Sequence, residues 1–225
     1  MVQELTAQAL FDLSHTAAAE LFAQEAYPWE ILAKIGDFVR AYGASLPAEE
    51  YDHPEEEVWI AKSAKVYPTA TILGPCVIGP NTEVRPGAFL RGNILVGEGC
   101  VVGNSTELKN VILFDGVQVP HYNYVGDSVL GYKAHMGAGS ITSNVRGDRA
   151  LVVVHGPEGD IPTGRKKVGA FLGDHAEIGC GTVLNPGSVV GRRAQVYPLS
   201  MIRGFVPAGM LYKKAGEVAS RPDLN

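Results

Sequence analysis

Every sixth residue of one long stretch is aliphatic, and that period limits what the chain can fold into more than any other feature. Ile60, Val66, Ile72, Ile78, Val84, Leu90, Val96, Val102 and Leu108 follow one another without a miss. Leu113, Val119, Val125, Leu130 and Met136 continue the row with occasional five-residue steps. Leu172, Ile178, Leu184, Val190 and Val196 resume it. A helix repeats its face about every 3.6 residues and a strand every two, so neither singles out each sixth position. A solenoid of short strands does, with one aliphatic pointing inward on every side. Three such sides close a triangular coil. The rows from Ile60 to Tyr212, less an interruption near 145–165, amount to about seven coils, roughly 35 Å long at ~4.8 Å per strand step. The 27 glycines and 14 prolines exceed the average share of about 12% and suit corners, where φ is positive.

The flanks read differently. Thr6 to Ala23 is Ala-rich and suits a helix capped by Ser14 and running to about Phe22. A second helix is expected from Pro28, with Ile31, Leu32, Ile35, Phe38 and Val39 at helical spacing and Gly43 as its stop. Glu49, Glu50, Asp52, Glu55, Glu56 and Glu57 read as an exposed linker. The expected organisation is therefore a helical appendage with its linker at 1–58, a β-helix domain at 59–214 and a tail at 215–225, where a short helix is also possible. Residues 145–167 break the period. Ala150–His155 and Asp160–Thr163 form a hairpin around Gly156–Gly159. Its apolar run from Leu151 to Val154 predicts contact with a neighbouring subunit, over part of the site, since a bare strand edge is a liability.

Composition narrows the function. Hydrophobic residues make up 46% of the chain, enough for a core. The net charge of −5 argues against a nucleic-acid binder or an anionic-membrane binder. No window is apolar for long enough to span a bilayer, and Met1 to Ala23 lacks the basic start and apolar run of a leader. Cys76, Cys100 and Cys180 are far apart and odd in number, which fits a reducing, cytoplasmic setting better than disulfides or structural zinc.

Deviations from the lattice carry the chemistry. Arg85-Pro86-Gly87, Glu107-Leu108-Lys109, His121-Tyr122-Asn123-Tyr124-Val125-Gly126-Asp127 and Met136-Gly137-Ala138-Gly139-Ser140-Ile141-Thr142-Ser143-Asn144 follow in order. This series resembles the acetyltransferase half of the bifunctional glucosamine-1-phosphate acetyltransferase/uridylyltransferases among the hexapeptide-repeat acyltransferases. Thr163 to Asp174 looks closer still to archaeal sugar-1-phosphate nucleotidylyltransferase/acetyltransferases. The resemblance implies a mainly β fold, a left-handed parallel β-helix; the handedness rests on the resemblance, because spacing alone does not set it. It implies a homotrimer with sites between subunits and acetyl-CoA as co-substrate, with no tightly bound metal. The acceptor would be an amino-sugar phosphate or related amine.

Residue by residue, the resemblance makes His121 the general base that takes the proton of the attacking amine. Arg85 and Lys109 match a phosphate-binding pair, and Tyr124, Asn144 and Lys167 match sugar-site positions, with Lys166 the rival of Lys167. Ala138 falls where backbone meets the acetyl-CoA carbonyl. Cys180 takes the place of a Ser near the thioester. Arg203, Lys213 and Lys214 gather near the C-terminal end and suit the 3′-phosphate of CoA. Each has a plain alternative: an interface histidine, packed aromatics, a small core residue or solubilising charges.

Two departures stand out. His135 replaces an Asn of the motif and is expected to line a changed acceptor pocket. Residues 1–59 hold no Gly-rich nucleotide loop, so nucleotidyl transfer is not expected. Two other readings compete. One is a non-catalytic trimeric scaffold. The other is a γ-carbonic-anhydrase-like metalloenzyme assembling His121, His135, His155 or His175 across an interface.

Overall fold

The computed structural model describes residues 1–220. From Val58 to Lys214 the chain winds into a three-sided parallel β-helix. The first face stacks Val58–Ala61, Cys76–Ile78, Ile94–Val96, the later halves of Glu107–Leu113 and Tyr124–Leu130, then Ala170–Leu172, Ser188–Val190 and Phe205–Val206. The second runs from Thr71–Leu73 and Phe89–Arg91, through the opening halves of those two long strands, to Ile141–Thr142, Val183–Leu184 and Met201–Ile202. The third holds Lys65–Val66, Glu83–Val84, Val101–Asn104, Gln118–His121, His135–Met136, Glu177–Ile178, Gln195–Val196 and Met210–Lys214. Seven or eight rungs result, in line with the sequence count.

The six-residue row is the core. Ile78, Val84, Leu90, Val96, Val102 and Leu108 are fully buried, as are Leu113, Val119, Val125, Leu130 and Met136. Ile60, Val66 and Ile72, in the first rung, are only half-buried, because no rung stacks beneath them. Positive φ at the corners is not confined to glycine: Asn81, Lys133, Arg193 and Leu199 adopt it as well. Many glycines serve instead to let rungs approach. A Cβ on Gly103 would stand 1.6 Å from the Pro120 carbonyl oxygen one rung on. Gly103→Ala is therefore expected to destabilise the protein by about 1–3 kcal/mol or more, which urea unfolding measures.

The N-terminal segment corrects the expectation of an appendage. Instead of one helix capped by Ser14 and running to Phe22 it makes short turns: Ala7–Leu10, capped by Thr6, then Leu13–His15, which contains Ser14 and is capped by Asp12, and Ala19–Phe22. One longer helix, Ile35–Ser45, follows. Packing overrides propensity here. Leu5, Leu10, Phe11, Phe22, Trp29, Ile31, Leu32, Ile35 and Val39 are all buried, and the helix Ile35–Ser45 lies on the first-face strands Cys76–Ile78, Ile94–Val96 and Glu107–Leu113. Phe11 and Phe22 ring Phe114 at 5.1 and 5.9 Å, and Trp29 meets Phe171 edge-on at 5.8 Å. First-face strands are thus buried on both sides, as continuous apolar runs such as Val111-Ile112-Leu113-Phe114 allow.

The acidic linker is also different. Tyr51–Glu55 is an edge strand antiparallel to Val58–Ala61, and its exposed charges discourage further pairing. At the other end Met210–Lys214 pairs antiparallel with Glu217–Ser220, so the expected tail begins as a strand; residues 221–225 lie outside those described.

The interruption is a loop whose hairpin pairs Val153–Gly156 with Gly159–Pro162. It inserts between rungs, so that His135 and its rung neighbour Glu177 are 42 residues apart, against 18 for Thr82 and Cys100. The apolar run does not wait for another subunit. Val152 and Val154 are fully buried against the chain's own prism, beside Gly187, and the hairpin lies along Ser188–Val190 and Phe205–Val206. Only Leu151 of that run is well exposed. No helix among the described residues is long and apolar enough to cross a membrane.

Candidate active site at the corner between two open faces

With the first face covered, the corner joining the third face to the second becomes the best-furnished open surface. His121 ends the third-face strand Gln118–His121, exposed, opposite Asn104 on the rung before. The next rung passes directly over it: the Gly139 N–H bonds the His121 carbonyl at 3.0 Å. One rung further, the Gly181 N–H bonds the Ala138 carbonyl at 2.8 Å, which places Cys180 beside Ala138. His121, Ala138 and Cys180 therefore form one exposed column along the corner.

Asn123, a residue that sequence reasoning missed, pins this corner. Its side chain is buried and donates to the Gly137 carbonyl at 2.9 Å and the Ser140 carbonyl at 3.0 Å, while its amide oxygen accepts from the His121 N–H at 3.1 Å. The signal was its place inside the quoted motif, between two aromatic residues. Such a satisfied buried amide holds the backbone that presents His121.

Around the corner, on the second face, stand Tyr124 and Asn144. The Asn144 amide nitrogen donates to the Tyr124 hydroxyl at 3.2 Å and to Asp127 Oδ2 at 2.6 Å. Burial foremost, with the charges of Asp127 and Glu107 adding to it, raises the Tyr124 phenol above its ordinary range, so it stays protonated at neutral pH. Lys109 lies on the same face, in register with Gly126. Arg85 sits at the third-face end two rungs before His121, and its guanidinium meets Glu83 at 3.2 Å. Lys167 stands at the neck of the insertion, bridged to Val145, with the Val168 N–H on the Asn144 carbonyl. Lys166 is exposed beside it.

Other expected residues stand apart. His135 opens its third-face strand, at the edge away from the His121 column, and its Nδ1 lies 2.9 Å from Glu177. Arg203 lines a groove with Met201, Arg146 and His155 under the insertion. Lys213 and Lys214 lie in the terminal hairpin, 3.5 and 3.3 Å from Glu217. A single basic end is not formed. His155 pairs with Asp160, and His175 packs on Tyr132 at another corner. Among the described residues no three His, Cys, Asp or Glu side chains come together as a metal ion needs. All three cysteines are free, and burial raises the thiol pKa of Cys76 and Cys100.

A triangular β-helix built on a six-residue repeat, with His121, Ala138 and Cys180 in a column at an open corner, defines a hexapeptide-repeat protein. The GMPPB C-terminal domain family matches residues 72–158. A bifunctional sugar-1-phosphate nucleotidylyltransferase/acetyltransferase of Sulfurisphaera tokodaii is 34% identical over 159 residues, covering 71% of this chain and 38% of that protein. The putative uncharacterized acetyltransferase YaiX of Escherichia coli K12 is 32% identical over 173 residues, covering 69% of this chain and 74% of that protein. A hexapeptide transferase family protein of Anaplasma phagocytophilum has 20% identity and a TM-score of 0.42 over 74% of this chain and 80% of its own. The chain belongs to the hexapeptide-repeat acyltransferases, and it spans well under half of the bifunctional relative.

Proposed function

We propose that the protein is an acetyl-CoA-dependent N-acetyltransferase of an amino-sugar phosphate or related amino sugar, acting as a homotrimer in the cytoplasm. The observation that carries this reading is the column of His121, Ala138 and Cys180 beside the Tyr124–Asn144 pair. His121 accepts the proton of the attacking amine. The Ala138 N–H, which takes no part in the backbone bonds to neighbouring rungs, donates to the thioester oxygen as charge develops on it. Tyr124 and Asn144 hold sugar hydroxyls, Arg85 and Lys109 the phosphate, and Lys167 the far side of the sugar. One open corner is shallow, and a ligand site needs concavity. Pairing the open faces of adjacent prisms supplies it, and the same pairing would bring His135 of one subunit toward a neighbour's site. CoA runs along the later rungs, its phosphates reaching Arg203 or the Lys213–Lys214 hairpin.

A thiol-release assay with acetyl-CoA over a panel of amino-sugar phosphates tests the reading; no transfer to any amine sinks it and leaves the scaffold reading. Arg85→Ala and Lys109→Ala are expected to raise the acceptor KM about tenfold or more with a smaller change in kcat, since a phosphate contact is made equally in the ground and transition states.

A further inference from the structure

A chain of buried side-chain bonds leads from the N-terminal segment to Tyr124. Asp127 is 6% exposed and accepts two hydrogen bonds, from Asn110 Nδ2 at 2.9 Å on Oδ1 and from Asn144 Nδ2 at 2.6 Å on Oδ2. Asn110, itself buried, gives its other amide hydrogen to the Leu32 carbonyl at 3.1 Å. Asn144 gives its other hydrogen to the Tyr124 hydroxyl. Asn110 and Asp127 both hold positive φ, at 55° and 47°, a conformation that Asn and Asp tolerate better than most residues.

The direction of these bonds is fixed by chemistry. An ionised carboxylate only accepts, so both amides must turn their NH₂ groups toward Asp127. Asn144 is thereby left with its side-chain amide oxygen Oδ1 facing away from both partners, and the Tyr124 oxygen is already accepting, so its hydroxyl hydrogen must point elsewhere. We infer that Asp127 is a positioning residue that sets the polarity of the acceptor site, making Tyr124 a hydrogen-bond donor and Asn144 an acceptor toward the sugar. This rests on the reading of Tyr124 and Asn144 as acceptor contacts. The substrate group opposite Tyr124 is then an acceptor oxygen, such as a hydroxyl or ring oxygen of the sugar, and that opposite Asn144 a donor, such as a hydroxyl or the amine.

A swapped pair separates polarity from mere pairing. In Asp127→Asn two NH₂ groups face each other, and the acceptor KM should rise about tenfold or more while the acetyl-CoA KM stays within about twofold. In the double variant Asp127→Asn with Asn144→Asp every bond of the chain is remade: Asn110 still donates to position 127, and position 127 donates to position 144. The Tyr124 hydroxyl, however, would now donate to the new carboxylate rather than to substrate. The assay uses acetyl-CoA with glucosamine 1-phosphate and glucosamine 6-phosphate, beside the thermal midpoint of each variant. The expected result is that the swap restores the midpoint lost in Asp127→Asn but not the acceptor KM. If the swap restores both, or if Asp127→Asn leaves the acceptor KM within about twofold, the inference is overturned while the transferase reading stands. If wild type acetylates neither sugar phosphate nor any other amine of the panel, the transferase reading falls first, and this inference with it.

Discussion

His121→Ala is expected to lower kcat by roughly 10²–10⁴-fold while leaving acetyl-CoA affinity nearly intact. The imidazole is exposed at the end of its strand, and the backbone there is held by Asn123 rather than by the histidine ring. Truncation therefore removes a proton acceptor without loosening the corner, and the thermal midpoint should barely move. Calorimetric titration with CoA and a steady-state assay with the same acceptor distinguish the two effects. Full transfer activity in the variant would end the assignment of His121 as base.

Trp29→Ala is expected to cost about 3–5 kcal/mol, the range for emptying a large aromatic site in a core. Trp29 is 2% exposed, stacks on Tyr27 at 4.5 Å and meets Phe171 of the first face. Tyr27 in turn accepts the Val2 N–H at 2.9 Å, so the loss should spread along the segment. Urea unfolding should show the midpoint fall, and limited proteolysis should cut first within residues 1–46. An appendage merely tethered to the prism would lose nothing measurable, and that outcome would mean that the segment does not cover the first face.

The β-helix was legible because its signal is local and repeated: each rung buries its aliphatic against the next, so Ile78 through Leu108 announce themselves by spacing alone. The wrap was not legible, because Leu10, Phe11 and Trp29 take their conformation from the first face and not from neighbours in sequence. Ala-rich composition near Ala17–Ala19 signals a helix from Ser14 to about Phe22, but only Ala19–Phe22 forms, and Phe11 and Phe22 both pack on Phe114. Of the site, the motifs placed His121, Ala138, Cys180, Tyr124 and Asn144 near one corner. They could not show that His135 would face Glu177, although rung arithmetic across the insertion would have paired the two. Asn110 escaped notice because its partners, Leu32 and Asp127, lie 78 and 17 residues away.

The wrap also sets an order of events during synthesis. Asp12 is held through its N–H by Asp174, 162 residues on, and the Gln8 carbonyl by Arg192, 184 residues on. Gln8 and Asp12 thus leave the ribosome long before these partners exist, by roughly eight to forty seconds at ~5–20 residues per second. Rungs of the prism can close one upon another as they emerge, and the helix Ile35–Ser45 can settle on the early first-face strands, but Trp29 and the turn at Asp12 have no seat until Phe171, Asp174 and Arg192 are made. During that interval the nascent chain carries an unmoored aromatic segment. It is then, rather than in the finished molecule, that this protein is most exposed to aggregation and has most need of a chaperone.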